Sequence, residues 1–251
     1  MPNYFTDRQG ANPGDALSLS PFDARHIATV LRMKKGDSLT LFDPEKRQLL
    51  CEITSCTADE VRLTVVSVLS ACTEASFVSS AYIGVPKGDK MDDVIRQLTE
   101  LGITRVCPFV SRYSVVKLDA NAAEKKRERW QKIALSAAKQ SGRAMVPEVL
   151  LPLSFKEAVA DAATAEVSLL FYEKNGADMG SLLPNAPQRI SFMTGAEGGF
   201  SEDEIQLAKD AGMAISTLGR RILRCETAPI AAFSVLSYLL GEFTTIKENH
   251  A

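Results

Sequence analysis

The sequence predicts an α/β protein in two parts, a small strand-rich part over residues 1–72 and a parallel α/β sheet over residues 73–251. The length of 251 residues is enough for one or two domains with a sizeable core. Before residue 72, short alternating apolar runs dominate, which favours antiparallel strands. After it, apolar strands alternate with amphipathic helices, which is typical of a parallel sheet covered by helices.

The first part carries three apolar runs separated by turn residues: Ser38–Asp43, Leu49–Thr54 and Val61–Leu69. Their spacing predicts a small antiparallel barrel or sandwich. A helix is predicted just before them, because Ile27, Val30 and Leu31 recur at positions i, i+3 and i+4. The polar stretch Ser70–Ser76 is then expected to be a linker between the two parts.

The second part repeats a strand-then-helix pattern. The predicted strands are Ala81–Val85, Arg105–Val110, Val167–Glu173, Arg189–Thr194 and Ala214–Leu218. The predicted helices are Asp89–Gly102, Ala122–Ser141, Ser201–Gly212 and Ala228–Phe243. In the first of these helices, Met91, Val94 and Ile95 have helical spacing, and Gly102 is a natural stop.

One loop of the second part is rich in glycine. It reads TGAEGGF, Thr194–Phe200, and is called the glycine loop below. It follows a predicted strand and precedes a helix, so it lies at a carboxyl end of the sheet, where α/β proteins bind ligands. Ser201 and Glu204 form a capping box that fixes the start of that helix. The glycines either bring backbone N–H groups close to a ligand or simply form a tight turn.

A second loop has the same placement after the next strand. It reads LGRRILRCETAP, Leu218–Pro229, and is called the arginine loop below. Its three arginines either contact a ligand or pair with Glu197, Glu226 or solvent: Arg220, Arg221 and Arg224. Thr227 is the expected cap of the following helix. Two such loops on successive strands predict a binding site.

The overall charge indicates that any nucleic-acid-binding site must be a local basic patch. The net charge is −2 and the pI is about 5.8, so the chain has no general basic field. Between Lys117 and Arg143, however, eight Lys and Arg residues stand against three acidic residues. This basic helix is either a nucleic-acid contact or an ordinary solvated face.

Several functional classes are disfavoured by composition. The chain has two histidines and five cysteines with no C-x-x-C pair, so we expect no metal site, no Ser-His-Asp triad and reduced thiols. We find no signal peptide and no membrane-spanning stretch in the sequence. The expected location is therefore the cytoplasm.

The two loops and their flanks resemble a known family. MTGAEGGFSEDEI followed by LGRRILRCETAPIAAF is similar to the C-terminal signature of the SPOUT-class RNA methyltransferases. HIATVLRMKKGDSLTLFD resembles the N-terminal PUA-like barrel of one branch of that class. PKGDKMDDVIRQLTELGI, SVVKL and RWQKIALSAAKQSGRAMVPEV resemble the first half of its catalytic domain. The bacterial enzymes of this branch methylate N3 of a uridine in small-subunit ribosomal RNA.

The resemblance implies a fold and a set of partners. The fold would be a parallel sheet with a trefoil-knotted C-terminal segment, residues 73–251, behind a PUA-like, RNA-binding barrel, residues 1–72. The cofactor would be S-adenosylmethionine, without a metal. The protein would be a homodimer that acts on ribosomal RNA or the small ribosomal subunit, with the RNA lying across both subunits.

The resemblance also assigns residues. The implied cofactor-binding residues are Thr194, Gly195, Glu197, Gly198, Gly199, Leu218, Gly219, Ile222, Leu223, Arg224, Glu226, Thr227 and Ala228. The chemistry of two of them also makes them candidates for catalysis: Glu197 as the base, because it is ionisable and lies in the loop, and Arg224 as a stabiliser of charge on the uridine carbonyl groups. The alternative for each is a structural role. The basic residues expected to contact RNA are Arg32, Lys34, Lys87, Lys90, Arg112, Arg129, Lys132 and Arg143.

The chain departs from the family pattern at four positions. The family usually has Pro at Ala196 and Thr at Cys225, which are small changes inside the expected cofactor site. It often has Lys at Gln97 and usually has Arg at Asn3, which concern RNA contacts. Two alternatives remain: a methyltransferase of this class with another RNA target, or a non-catalytic RNA-binding protein of the same fold.

Overall fold

The computed structural model describes residues 3–70, 73–114 and 119–243. The chain divides into two compact units, residues 1–74 with 138–146 and residues 75–137 with 147–251. Cys72, Lys117 and most of the SVVKL segment lie outside the described residues. The assignment of residues 1–72 and 73–251 to two functional domains stays a prediction.

The first unit contains a five-stranded sheet. Its strands are β1 (Asn3–Phe5), β2 (Ala16–Ser18), β3 (Ser38–Phe42), β4 (Arg47–Cys56) and β5 (Val61–Ser70). The order is β1-β3-β4-β5-β2, antiparallel except for β1, which pairs in parallel with β3. The three predicted strands are present. Strands β1 and β2 were not predicted, because three residues are too few to show an alternating pattern.

The helix predicted over Asp23–Met33 is present, but it starts and ends earlier than predicted. Helix α1 (Pro21–Arg25) runs directly into a π-helical turn, His26–Val30. The start is set by Ser20, whose hydroxyl accepts the N–H of Asp23, and by Pro21, which suits a first helical turn. Ile27 from the π-helical turn joins the apolar core of the strands with Leu39 and Leu41, all three fully buried.

The second unit contains a parallel sheet, as predicted, with seven strands, two more than the five predicted. Its strands are β6 (Val78–Gly84), β7 (Arg105–Val110), β8 (Glu148–Val149), β9 (Leu153–Ser154), β10 (Val167–Phe171), β11 (Arg189–Thr194) and β12 (Ala214–Ser216). The order is β12-β10-β11-β6-β7-β8, with β9 also paired to β7. Because the strands are parallel, the segments that follow β6, β10, β11 and β12 emerge at one edge of the sheet.

The helices of the second unit cover both faces of this sheet. They include α2 (Lys90–Glu100), α4 (Phe155–Ala162), α5 (Glu202–Asp210) and α6 (Ala228–Leu239), with a 3₁₀ turn at Met179–Leu182. Helix α3 (Ala120–Ser141) begins in the second unit, and its residues from Ala138 onward belong to the first unit. Met193 packs in one core with residues of α4 and α5. Its neighbour Phe192 stacks on Phe233 of α6 at 5.8 Å between ring centroids. Successive residues of a strand point to opposite faces, so α6 lies on the side opposite α4 and α5.

Helix α4 was not predicted, although its start is well defined. Ser154 caps it and forms a capping box with Glu157, the same arrangement that Ser201 and Glu204 form at α5. Among the described helices, none is both long and apolar enough to cross a membrane.

Candidate functional site

A cavity of about 470 Å³ lies at the carboxyl edge of the parallel sheet. Its walls come from the ends of β10, β11 and β12 and the segments after them, with one residue from α2. This volume is in the range of small-molecule sites.

The cavity brings together almost all of the residues predicted to hold a cofactor. The predicted residues that line it are Thr194, Gly195, Glu197, Gly198, Gly199, Leu218, Gly219, Ile222, Leu223, Arg224, Glu226 and Ala228. Thr227 is the exception. It sits at the start of α6 as predicted, but its side chain makes no capping hydrogen bond, and it lines a separate cavity with Asp93 and Gln97.

The glycine loop is held tightly by its neighbours. A Cβ atom on Gly84, in β6, would lie 2.4 Å from the backbone N of Ala196, and one on Gly198 would lie 2.5 Å from Cβ of Tyr113. The loop is also a turn, closed by the N–H of Gly199 donating to the Ala196 carbonyl at 2.9 Å. Gly199 has a φ of 61°, a conformation that favours glycine. The tight turn is therefore present, and the close contacts of Gly84 and Gly198 are with other parts of the protein. The approach of a ligand to the backbone of this loop stays a prediction.

The arginine loop forms the second wall. Leu218, Ile222 and Leu223 give this wall its apolar side chains, and Ile222 is 84% exposed. All three arginines of the loop are exposed, and within the described residues none of them makes an ion pair. The acidic partners considered for them, Glu197 and Glu226, pair instead with Lys90.

Lys90, the first residue of α2, stands between the two loops. Its Nζ atom lies 3.1 Å from a carboxylate oxygen of Glu226, 3.5 Å from one of Glu197 and 3.8 Å from Sγ of Cys225. The backbone N–H of Lys87 donates to the same oxygen of Glu197 at 3.1 Å. The thiol of Cys225 donates to Glu226 at 3.1 Å.

These contacts set the ionisation of the cluster. Burial raises the pKa of Glu197, but backbone N–H groups of Glu197 and Lys87 and the ammonium of Lys90 outweigh burial and leave it lowered. The Cys225 thiol, a backbone N–H and Lys90 lower the pKa of Glu226 to about 2. Burial, together with the nearby carboxylates, raises the pKa of Cys225 to about 12. Both carboxylates are therefore ionised at neutral pH, while Cys225 stays a neutral thiol and a poor nucleophile.

Sequence reasoning missed one wall of the cavity. Phe171, the last residue of β10, and Tyr172 and Glu173, which follow it, line the cavity between the two loops. The signal was available, since the strand Val167–Glu173 was predicted and its end had to share an edge with the other strands. Thr194 carries a further unforeseen feature. It is 1% exposed, and its hydroxyl has no hydrogen-bond partner within the described residues.

The basic residues predicted to contact RNA differ in their exposure and in their ion pairs. Arg32 and Lys34 are exposed in the first unit, and Lys87 and Lys132 are exposed in the second. Lys90 is engaged with the two loops, as described above.

Three of the predicted RNA-binding arginines are already paired. Arg112 pairs with Asp203 at 2.8 Å. Arg129 pairs with Asp89 at 3.2 Å and also with Asp92. Arg143 is only 3% exposed and pairs with Glu74 at 2.5 Å, so it cannot reach a phosphate without breaking a buried ion pair. The predicted role of Arg143 is the one that its surroundings fit least.

Within the described residues, no three or more His, Cys, Asp or Glu side chains cluster in a way that could hold a metal ion.

Comparison with known proteins identifies the family. A family model described as an RNA methyltransferase domain matches residues 73–237, and one described as an RNA methyltransferase PUA domain matches residues 23–66. The ribosomal RNA small subunit methyltransferase E of Bacillus subtilis (strain 168) is 33% identical over 247 residues, which cover 95% of this chain and 96% of that protein. The chain belongs to this family of RNA methyltransferases.

Solved structures agree with this assignment. Ribosomal RNA small subunit methyltransferase E from Neisseria gonorrhoeae, bound to S-adenosyl methionine, is 31% identical, has a TM-score of 0.89 and matches over 97% of this chain and 100% of its own. A methyltransferase from Legionella pneumophila, solved with bound SAM, is 30% identical with a TM-score of 0.86, over 94% and 96% of the two chains. The fold of this RNA methyltransferase is the predicted one, a SPOUT-type α/β knot with a PUA-like, strand-rich N-terminal part.

Proposed function

We propose that this RNA methyltransferase transfers the methyl group of S-adenosylmethionine to N3 of a uridine in small-subunit ribosomal RNA. Family membership supports RNA methylation, and the relatives' names point to small-subunit ribosomal RNA. The observation that carries the proposal is the cavity, which is assembled from both of the loops that resemble the cofactor loops of the family.

The residues around the cavity fit S-adenosylmethionine. Leu218, Ile222 and Leu223 offer apolar cover for an adenine ring, and the glycine loop brings backbone groups to the cavity without intervening side chains. The buried hydroxyl of Thr194 has no hydrogen-bond partner within the described residues, and a polar ligand would satisfy it. When bound, the cofactor supplies an activated methyl group.

The protein's own contribution is mainly geometric and electrostatic. Arg224 lines the cavity with an exposed guanidinium, which can stabilise negative charge on the uridine carbonyl groups as N3 loses its proton. Glu197 is less suited to its predicted role as the base, because its lowered pKa makes it a weak proton acceptor. We therefore assign a structural role to Glu197, whose carboxylate accepts the backbone N–H of Lys87 and pairs with the ammonium of Lys90.

RNA would be positioned by cations outside the cavity. Arg32, Lys34 and Lys35 are exposed on the first unit, part of which matches an RNA methyltransferase PUA domain. Such contacts place the phosphate backbone, whereas the target base must leave its stack to expose N3. A ribosomal RNA substrate agrees with the cytoplasmic location expected from the sequence.

A homodimer is part of the proposal. Helix α6 exposes three large apolar side chains at helical spacing, Val235, Tyr238 and Leu239, and Phe243 is exposed beyond the end of the helix. An exposed apolar stripe on a helix is typical of a protein interface. The family resemblance implies a homodimer, and we propose that a second copy covers this stripe.

The test uses purified protein, labelled S-adenosylmethionine and small ribosomal subunits from cells that lack the activity. The labelled nucleoside is identified by mass spectrometry, and the Arg224→Met variant is assayed beside the wild type. We expect N3-methyluridine from the wild type and a much slower reaction from the variant. Another methylated nucleoside would overturn the proposed target. RNA binding without cofactor binding would favour a non-catalytic protein of this fold.

A further inference from the structure

The two cavity loops have no sheet contact that could hold them together directly. The glycine loop follows β11 and the arginine loop follows β12, but β10 lies between these strands in the sheet. The ladder hydrogen bonds of β11 and β12 therefore go to β10 and β6 and not to each other. A cavity with stable walls needs another link between the two loops.

Lys90 occupies the place where such a link can form. It comes from the segment after β6, and β6 is the strand on the far side of β11. Its single ammonium reaches one acidic residue in each loop, Glu197 at 3.5 Å and Glu226 at 3.1 Å. Because both carboxylates are ionised at neutral pH, removing the ammonium would leave two negative charges at the junction without their shared cation.

Each carboxylate is also fixed by a second donor. The backbone N–H of Lys87 holds Glu197 at 3.1 Å, and the thiol of Cys225 holds Glu226 at 3.1 Å. The side chain of Lys90 is only 34% exposed, so the pairs are partly shielded from water. The ammonium therefore binds between acceptors that are already oriented.

The position of Lys90 on its own helix supports the same conclusion. A cation in the first turn of a helix is disfavoured by the helix dipole, which prefers acidic residues such as Asp92 and Asp93 there. Helix stability therefore gives no reason for a lysine at this position, whereas the two pairs across the loops do.

We propose that Lys90 is a positioning residue that ties the glycine loop to the arginine loop and so shapes the methyl-donor cavity. This role replaces the direct RNA contact predicted for Lys90 from the sequence. It rests on the proposed function for the identity of the ligand, but not for the link between the loops.

The first measurement needs no ligand. Hydrogen exchange is followed in the full-length protein for backbone amides of residues 195–199 and 224–227, in the wild type and in Lys90→Met. We expect exchange in both loops to become about tenfold faster in the variant, which corresponds to about 1.4 kcal/mol of lost local stability. Exchange in α5 should not change. Unchanged protection in either loop would overturn the proposal.

The second measurement separates a link from an RNA contact. Calorimetry gives the affinity for S-adenosylmethionine, and RNA binding is measured over a range of salt concentrations. Lys90→Met should weaken cofactor binding about tenfold and leave the salt slope of RNA binding unchanged, and Lys90→Arg should restore most of the affinity. Unchanged cofactor affinity with a shallower salt slope would mean that Lys90 contacts RNA, against the proposal.

Two controls make these results specific. Lys209→Met removes an exposed lysine from the last turn of α5 and should change neither quantity. Glu226→Gln should loosen the arginine loop, and adding it to Lys90→Met should have little further effect on that loop, because both remove the same link. Fully additive effects would contradict the link. A wild type that binds no cofactor would refute the proposed function, while the exchange data would still decide the role of Lys90.

Discussion

At the scale of single residues, the site depends on positions where only glycine fits. Gly84 lies within a strand, where nothing in its own sequence context calls for glycine. The requirement comes from the backbone of Ala196, which passes so close that a Cβ atom would lie 2.4 Å from its nitrogen. The sequence made the glycines of the glycine loop visible, but Gly84 could be recognised only once the two segments were seen together.

Gly84→Ala should therefore displace the glycine loop and weaken S-adenosylmethionine binding at least tenfold, because backbone atoms have no room to yield. Calorimetry with the purified variant measures the effect. The matched control is Gly212→Ala, where a Cβ atom meets nothing within 4 Å but φ is 91°. That variant should lose about 1 kcal/mol of stability from backbone strain and keep its cofactor affinity. Equal affinities in both variants would show that the loop can move aside.

The carboxylate of Glu226 at the junction of the two loops leads us to predict how the free energy of unfolding depends on pH. Contacts with Cys225, a backbone N–H and Lys90 lower the pKa of Glu226 from 4.5 to about 2. A group whose pKa is lowered on folding adds stability above its unfolded pKa and loses it as pH falls through the folded value. The unfolding free energy of the wild type should thus exceed that of Glu226→Gln by a constant amount above about pH 5. The difference should vanish between pH 4.5 and pH 2, as measured by denaturant titration at each pH. A difference that persists at pH 2 would contradict this assignment.

At the scale of elements, the long periodic segments were predicted and several short ones were not. Strands β7 and β11 have the predicted bounds, although each has only six residues, because each is a mainly apolar segment. Helix α4 was missed even though Ser154 and Glu157 follow the same capping pattern that identified α5. The apolar period was a second signal, because four apolar residues recur at positions i, i+3, i+4 and i+7: Phe155, Ala158, Val159 and Ala162. Helix α4 could therefore have been predicted from the sequence.

Helix α3 shows that a count of basic residues does not reveal which of them are already in ion pairs. Its basic residues were counted together, but Arg129 is paired with Asp89 and Asp92, whereas Lys132 is exposed with no ion pair in the described part of the chain. Lys132→Glu should weaken RNA binding and lower its salt slope by about one to two, because it would remove the predicted phosphate contact and add a repulsive charge. The control Lys156→Glu, an exposed position on α4, should leave the slope unchanged. If the two variants gave the same slope, α3 would not lie in the RNA interface.

At the scale of the whole molecule, the net charge is −2, so the protein as a whole does not attract RNA. RNA affinity must come from basic residues that lie at particular places on the surface. The sequence predicted the two loops and their shared edge. That the end of β10 lies at the same edge also followed from the predicted strands. Which strand ends stand side by side did not, because the sheet order β12-β10-β11-β6 is not the order along the chain.

The assembly state is a property of the same scale. We expect the purified protein to sediment as a dimer, and Tyr238→Asp to shift it toward the monomer, because Tyr238 is 71% exposed on the apolar stripe of α6. Analytical ultracentrifugation at several concentrations gives the dissociation constant. Leu151→Asp, at an exposed apolar residue outside the stripe, is the control and should remain dimeric. A wild type that is monomeric at all concentrations would refute the expected homodimer.

The close passage of Gly84 beside Ala196 also bears on how the chain folds. These two residues are far apart in the sequence, and contacts of such high separation form late, after the cost in chain entropy has been met by others. The glycine loop can take its final shape only when β6 and β11 are paired, and the arginine loop only when β12 has joined the opposite side of β10. A folding intermediate with most of its helices formed would therefore still lack the cavity. S-adenosylmethionine, which binds a cavity built by these pairings, therefore stabilises only the chain in which all of these strands are paired.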